Sequence, residues 1–228
     1  MVANRPDHAR ELGVVSIVLL IAATILGAIT AGHNYLDIDV RISSWLQNWQ
    51  GDIPEILYNV GNVLGSTGAA IVVILGAIII AVLLKSRRFT AFFVLTGVLR
   101  LAGMLLKPLF DSPRPIEAEQ RMRIYAAYEG LGFPSGHSMT AAMIAGLLFV
   151  VVWQLIPKKA WSALAVGAVL MIWVGCSRIW GGAHWPTDVL GGWMFGIAIV
   201  LFGWLMSSPF AETRNESAEE LSPESPES

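Results

Sequence analysis

The chain has 228 residues, of which 55% are hydrophobic and only 14% charged; with a mean hydropathy of +0.62 this balance excludes an ordinary soluble domain. The net charge of −2 says little about partners, because much of the acid lies in the tail after Glu212, and no nucleic-acid partner is expected. The single cysteine, Cys176, excludes an internal disulfide and reads as a small apolar residue.

Mostly apolar runs of about 18 residues or more, each long enough to cross a bilayer, occur at 12–31, 68–84, 89–106, 139–156, 160–176 and 189–206. They predict an all-α polytopic membrane protein with six transmembrane helices. A short N-terminus (1–11), a membrane domain (12–208) and an acidic tail (209–228) follow from this plan. The tail's Ser, Pro and Glu content cannot build a core, so it is expected to be disordered. The first run is long for a signal peptide, and the Ile-Thr-Ala-Gly-His that follows is a poor cleavage site, so this run is read as a retained anchor.

Between the first two runs, Trp45, Trp49, Ile53, Ile56 and Leu57 stand among polar residues, which suits an interfacial helix shaping a lipid entrance. Trp153 and Trp161 bracket Lys158 and Lys159, an aromatic belt at one surface. Counting cations by side gives eight on one face, Arg5, Arg10, Lys85, Arg87, Arg88, Lys158, Lys159 and Arg214. The other has six, Arg41, Lys107, Arg114, Arg121, Arg123 and Arg178. Lys107, Arg114 and Arg178 have a chemical reason to be there, and without them the count is eight against three. The positive-inside rule then puts both termini in the cytoplasm of a cell-membrane protein, with the motif-bearing loops on the outer face.

After the third run the chain reads Lys107-Pro-Leu-Phe-Asp-Ser-Pro-Arg114-Pro115. Its prolines forbid a continuing helix and push Arg114 toward extended backbone, so Lys107 and Arg114 project from a stiff turn. An arginine fork and a lysine point charge there suit a phosphate clamp; two snorkelling residues at a membrane boundary are the alternative. The fourth run is preceded by Phe133-Pro-Ser-Gly-His137-Ser. Ser135 and Gly136 before an apolar helix make a helix N-terminus with free N–H groups, an anion site rimmed by His137, or simply a capped helix beside an incidental histidine.

The third stretch, Ser177-Arg-Ile-Trp-Gly-Gly-Ala-His184-Trp-Pro-Thr-Asp188, lies between the last two runs. Pro186 suits the first turn of a helix, which lets His184 and Asp188 share one side of its start. Asp188 accepting from one ring nitrogen would leave the other free to attack. A capped helix start beside an interfacial histidine explains the same residues. The combination is the specific signal, since three loops each bring phosphate-type donors and two bring a histidine.

Lys107 with six residues between it and Arg114-Pro115, then Pro134-Ser-Gly-His137, then Ser177-Arg178 with five residues between it and His184 and three between His184 and Asp188, resembles the tripartite signature of the type 2 phosphatidic acid phosphatase superfamily. The resemblance runs from Lys107 to Asp188 and implies a helical membrane core and metal-independent phosphomonoester or diphosphate hydrolysis, with no cofactor. It implies His184 as the nucleophile that forms a phosphohistidine, Asp188 as its orienter and His137 as the group that protonates the leaving oxygen. Lys107, Arg114, Ser135, Gly136 and Arg178 would hold the phosphoryl oxygens. The implied partners are a lipid phosphate substrate and the membrane lipids, with oligomeric state left open. Phosphatidic acid, phosphatidylglycerol phosphate and undecaprenyl diphosphate are the candidate substrates. A lipid or sugar phosphotransferase, and a non-catalytic binder or mover of anionic lipid, are the competing readings.

Arg100, seven residues before Lys107, falls on about the same helix face roughly 10 Å deeper, where it can support the site or pair structurally. His8 and His33 read as solvated loop residues and Asp111 as a turn former. Trp180 and Trp185 can line a lipid-tail groove or mark the interface.

Overall fold

Backbone groups surrounded by lipid can be satisfied only within a helix or a closed barrel, and every apolar run forms a helix in the computed structural model. The structure describes residues 9–32, 35–105, 107–115, 124–125 and 130–210; His8, His33, Arg5, Arg121, Arg123, Arg214 and the acidic tail from residue 211 lie outside them. The helices are α1 (Ala9–Ile29), α2 (Asp37–Gln47), α3 (Asp52–Leu64), α4 (Thr67–Leu83), α5 (Arg87–Met104), α6 (Gly136–Leu155), α7 (Ala160–Trp180) and α8 (Pro186–Met206), with short 3-10 turns at Lys107–Leu109 and Pro157–Lys159. Among the described residues there is no strand.

Five helices, α1, α5 through Leu109, α6, α7 from Pro157, and α8, are long and apolar enough to cross a membrane. The protein is a multi-pass membrane protein. The second expected span departs from the plan: α4 has 17 residues and qualifies only together with α3, from which it bends by 49°. The stretch expected to hold one interfacial helix holds two. Gly51 between them adopts φ 114°, open to little but glycine, and Pro54 is tolerated only in a first turn, so one helix cannot run through.

α8 is the axis of the bundle, packed by α6, α1 and α5. Of its apolar stretch 56% is buried, against 17% for α1, which turns most of its side chains outward. Small residues let α6 and α8 approach closely, as membrane helix pairs require: a Cβ on Gly192 would lie 2.5 Å from the Ser135 carbonyl oxygen and one on Gly196 2.6 Å from that of Met139. Two apolar clusters fill the rest. Phe92, Phe93, Met143, Val200 and Trp204 form one; Ala23, Phe110, Phe133, Met139 and Phe195 form the other, beneath the motif-bearing end.

α2 packs the reverse of a water-lying amphipathic helix. Its buried residues are Asp39, Ser43 and Gln47, four apart and therefore on one face, while Ile38 and Trp45 are exposed. The polar stripe of α2 faces α7 and α8.

Candidate active site

α7 ends at Trp180, and the chain turns through Gly182 at φ 68°. The Arg178 carbonyl at that helix end accepts from the N–H groups of Ala183 (3.0 Å) and His184 (3.3 Å), which folds the loop back over the helix. Pro186 then opens α8, and Asp188 in its first turn accepts the Trp185 N–H at 3.0 Å through Oδ2. The same oxygen lies 3.2 Å from His184 Nδ1. The expected pairing of His184 with Asp188 is therefore present, with both residues buried.

The other ring nitrogen identifies the tautomer. His184 Nε2 stands 3.3 Å from Arg114 Nη1. Arginine has only donors, so Nε2 is the acceptor and keeps its lone pair, and Nδ1 carries the proton donated to Asp188. Arg114 is itself locked in place: Nη1 also donates to the Ala183 carbonyl at 2.7 Å, and Nε to that of Gly130 at 3.0 Å. Lys107 Nζ donates to the neighbouring Leu131 carbonyl at 3.2 Å.

Ser135 joins the second motif to the third, its N–H donating to the Asp188 carbonyl at 3.0 Å. That N–H is thus committed rather than free, a correction to the sequence reading, which could not see a partner 53 residues away. The Ser135 hydroxyl accepts from Ser138 N–H and O–H, at 3.4 and 3.0 Å, which leaves its own proton for another acceptor. Gly136 and His137 are the first helical residues, whose N–H groups have no partner inside the helix.

His137 and Arg178 are held from the α3–α4 side. A Cβ on Gly65 would lie 2.9 Å from that of His137, and Arg178 Nη1 donates to Asn62 Oδ1. Arg178 is 1% exposed. Burial pushes the His184 imidazole well below its ordinary range, and Arg114, Lys107, Arg178 and His137 push it the same way. All eight sequence-predicted residues thus gather where α5 ends, α6 begins and α7 passes to α8.

Arg100 takes the supporting alternative. Buried on α5, it donates through Nη2 to the Gly136 carbonyl at 3.1 Å and to Thr140 Oγ1 at 3.0 Å, bracing the first turn of α6. Asp111 adopts φ 41° and its carbonyl accepts the Gly32 N–H at 3.0 Å, as a turn former does. Trp185 is buried and stacks on Tyr35 at 5.0 Å, so it lines no open groove. Trp180 lines a small apolar cleft with Leu46, Trp49, Leu57 and Trp173. Asp39, Gln47 and Asn62 were missed by sequence reasoning; the one signal for the first two was a polar stripe at four-residue spacing on α2, which also fits a face turned to water, and Asn62 on α3 carried none.

A family model for the PAP2 superfamily matches residues 67–211, more than half of the chain. The chain belongs to the PAP2 superfamily. It is 31% identical over 106 residues to phosphatidylglycerophosphatase B of Bacillus subtilis, covering 45% of this chain and 50% of that protein. It is 38% identical over 64 residues to undecaprenyl-diphosphatase of Sulfolobus acidocaldarius, covering 28% of each. The chain therefore spans half or less of the length of these curated PAP2 relatives. A crystal structure of a transmembrane PAP2-type phosphatidylglycerolphosphate phosphatase from Bacillus subtilis aligns with a TM-score of 0.70 over 87% of this chain and 96% of that one, at 24% identity. At that identity the match shows a shared PAP2 fold.

Proposed function

We propose that the protein is a membrane-integral lipid phosphate phosphatase that works without a metal, through a phosphohistidine on His184. The observation that carries this reading is the orientation of one ring: Nδ1–H toward Asp188 at 3.2 Å and the Nε2 lone pair toward Arg114 at 3.3 Å. A phosphoryl group held by Arg114 then meets a nucleophile already aimed at it. A depressed basicity supports the role as well, since only a neutral imidazole can attack.

In the first step Nε2 forms a bond to phosphorus while the bond to the lipid oxygen breaks and His137 donates a proton to that oxygen. In the second step water attacks phosphorus, His137 takes its proton, and the electron pair of the P–N bond returns to Nε2. Asp188 holds the ring and stabilises its positive charge between the steps. Lys107, Arg114, Arg178, the Ser135 hydroxyl and the N–H groups around Gly136 take the charge on the phosphoryl oxygens. Phosphoryl transfer asks mainly for positioning and charge stabilisation, and fixed cations with a helix N-terminus supply both.

Phosphatidylglycerol phosphate and undecaprenyl diphosphate are the favoured substrates, on the names of the relatives, with phosphatidic acid as a further candidate. The bent α3–α4 pair counts as the sixth span, and α2 lies in the interface beside the lipid entrance. The site belongs at the outer surface and both termini in the cytoplasm, on the eight-to-three cation count. Purified protein in mixed micelles containing EDTA should release phosphate from at least one of these lipids. His184→Ala should abolish both phosphate release and the acid-labile phosphoenzyme. A requirement for added magnesium, or turnover surviving His184→Ala, would overturn the reading.

A further inference from the structure

A buried carboxylate outside all three motifs sits against the start of α8. Asp39, fully buried on α2, accepts the Thr187 N–H through Oδ1 at 2.9 Å. Its Oδ2 accepts the Thr187 hydroxyl at 3.0 Å and the Leu36 N–H at 3.0 Å. A carboxylate taken out of water is costly unless donors surround it, and here three do. The partner is informative. The N-cap residue of α8 is Trp185, whose side chain has no oxygen to cap with, and Pro186 has no N–H, so Thr187 carries the first orphan donor of the helix. Asp39 supplies the missing cap from 148 residues away and places a negative group at the positive end of the helix.

Thr187 immediately precedes Asp188, whose Oδ2 meets His184. The other end of the loop is also fastened to α2, since Gln47 Nε2 donates to the Trp180 carbonyl at 2.9 Å. The polar stripe of α2 thus holds the loop from 180 to 187 at both ends. Asp39 lies outside the 67–211 family match.

We propose that Asp39 is a positioning residue, which fixes the first turn of α8 so that Asp188 presents the His184 ring for attack; this rests on the reading of His184 as nucleophile. A small displacement of an orienting group costs rate far more than affinity. Substrate binding through Lys107, Arg114 and Arg178 does not pass through Thr187.

The test compares wild type, Asp39→Asn and Asp39→Ala as purified proteins in mixed micelles, with vanadate-binding stoichiometry counting competent sites. Asp39→Ala should lower kcat per site, and the single-turnover rate of phosphoenzyme formation, by about 10- to 100-fold, with KM changed by less than about threefold. Asp39→Asn keeps an oxygen for the Thr187 N–H and should fall between the two. Thr187→Val in the Asp39→Ala background should add nothing further, since both act through one contact. Wild-type kcat per site in either Asp39 variant, with only the number of competent sites reduced, would overturn the inference by making the role purely structural. If Asp39→Ala yields no folded protein, Asp39→Asn decides alone by the same readout. His184→Ala separates the two claims. Turnover in that variant removes the nucleophile reading, whereas no turnover there with unaltered kcat in the Asp39 variants removes only this inference.

Discussion

His184 is 2% exposed and stands among Arg114, Lys107, Arg178 and His137. Burial first, and the electrostatic influence of these neighbours second, with Arg114 foremost, disfavour its charged form, so its folded value lies well below the ordinary 6.5. As pH falls through 6.5, an ordinary histidine gains a proton while this one stays neutral. Nitrogen-15 NMR of histidine-labelled protein, with the signal assigned by its loss in His184→Ala, should show a protonated Nδ1 and an unprotonated Nε2 still present at pH 6. A doubly protonated ring at pH 6.5 would contradict both the burial and the Arg114 geometry. At this scale the motifs name the ring and its carboxylate. Which nitrogen carries the lone pair depends on Arg114, 70 residues away, and spacing cannot report that. Arg100 teaches the same point, because periodicity gave its depth and face but only packing paired it with Gly136 and Thr140.

The helix pair α6 and α8 carries the second and third motifs, so their separation sets how the halves of the site meet. Gly192 and Gly196 lie one turn apart on α8, each against a backbone carbonyl of the α6 segment that cannot rotate away. Alanine at either position should separate the helices at a cost of about 1–3 kcal/mol, lowering Tm by about 2–4 °C for each kcal/mol. The two should differ in activity. Gly192 faces the carbonyl of Ser135, which opens the second motif, so Gly192→Ala should reduce kcat/KM as well as Tm, whereas Gly196→Ala, against Met139, should chiefly lower Tm. Thermal unfolding in detergent and lipid phosphatase assays on both variants check this, and wild-type Tm in both would mean that the contact is absent. At this scale the apolar runs locate the helices to within a few residues. The break between α2 and α3 and the bend before α4 depend on Gly51, Pro54 and tertiary packing, and hydropathy averages over them.

For the whole molecule, the cation asymmetry is the argument for orientation, since lysine and arginine loops are retained on the cytoplasmic side. In a Cys176→Ala background, a cysteine introduced at Glu119 should react with an impermeant thiol reagent in intact cells, and one at Ser217 only after lysis. The reverse pattern would put the phosphate site in the cytoplasm. What the sequence by itself determined is the membrane class, the approximate helix positions and the eight motif residues, because hydropathy and motif spacing are local properties that survive any arrangement of the helices. Only the tertiary structure decided that α2 turns Asp39, Ser43 and Gln47 inward, that Asn62 holds Arg178, and that the start of α8 is capped by Asp39. Those contacts join residues more than a hundred positions apart in a bundle whose exterior is apolar. Lipid then inverts the water-based rule for an amphipathic helix, and Asp39 and Gln47 find their partners inside.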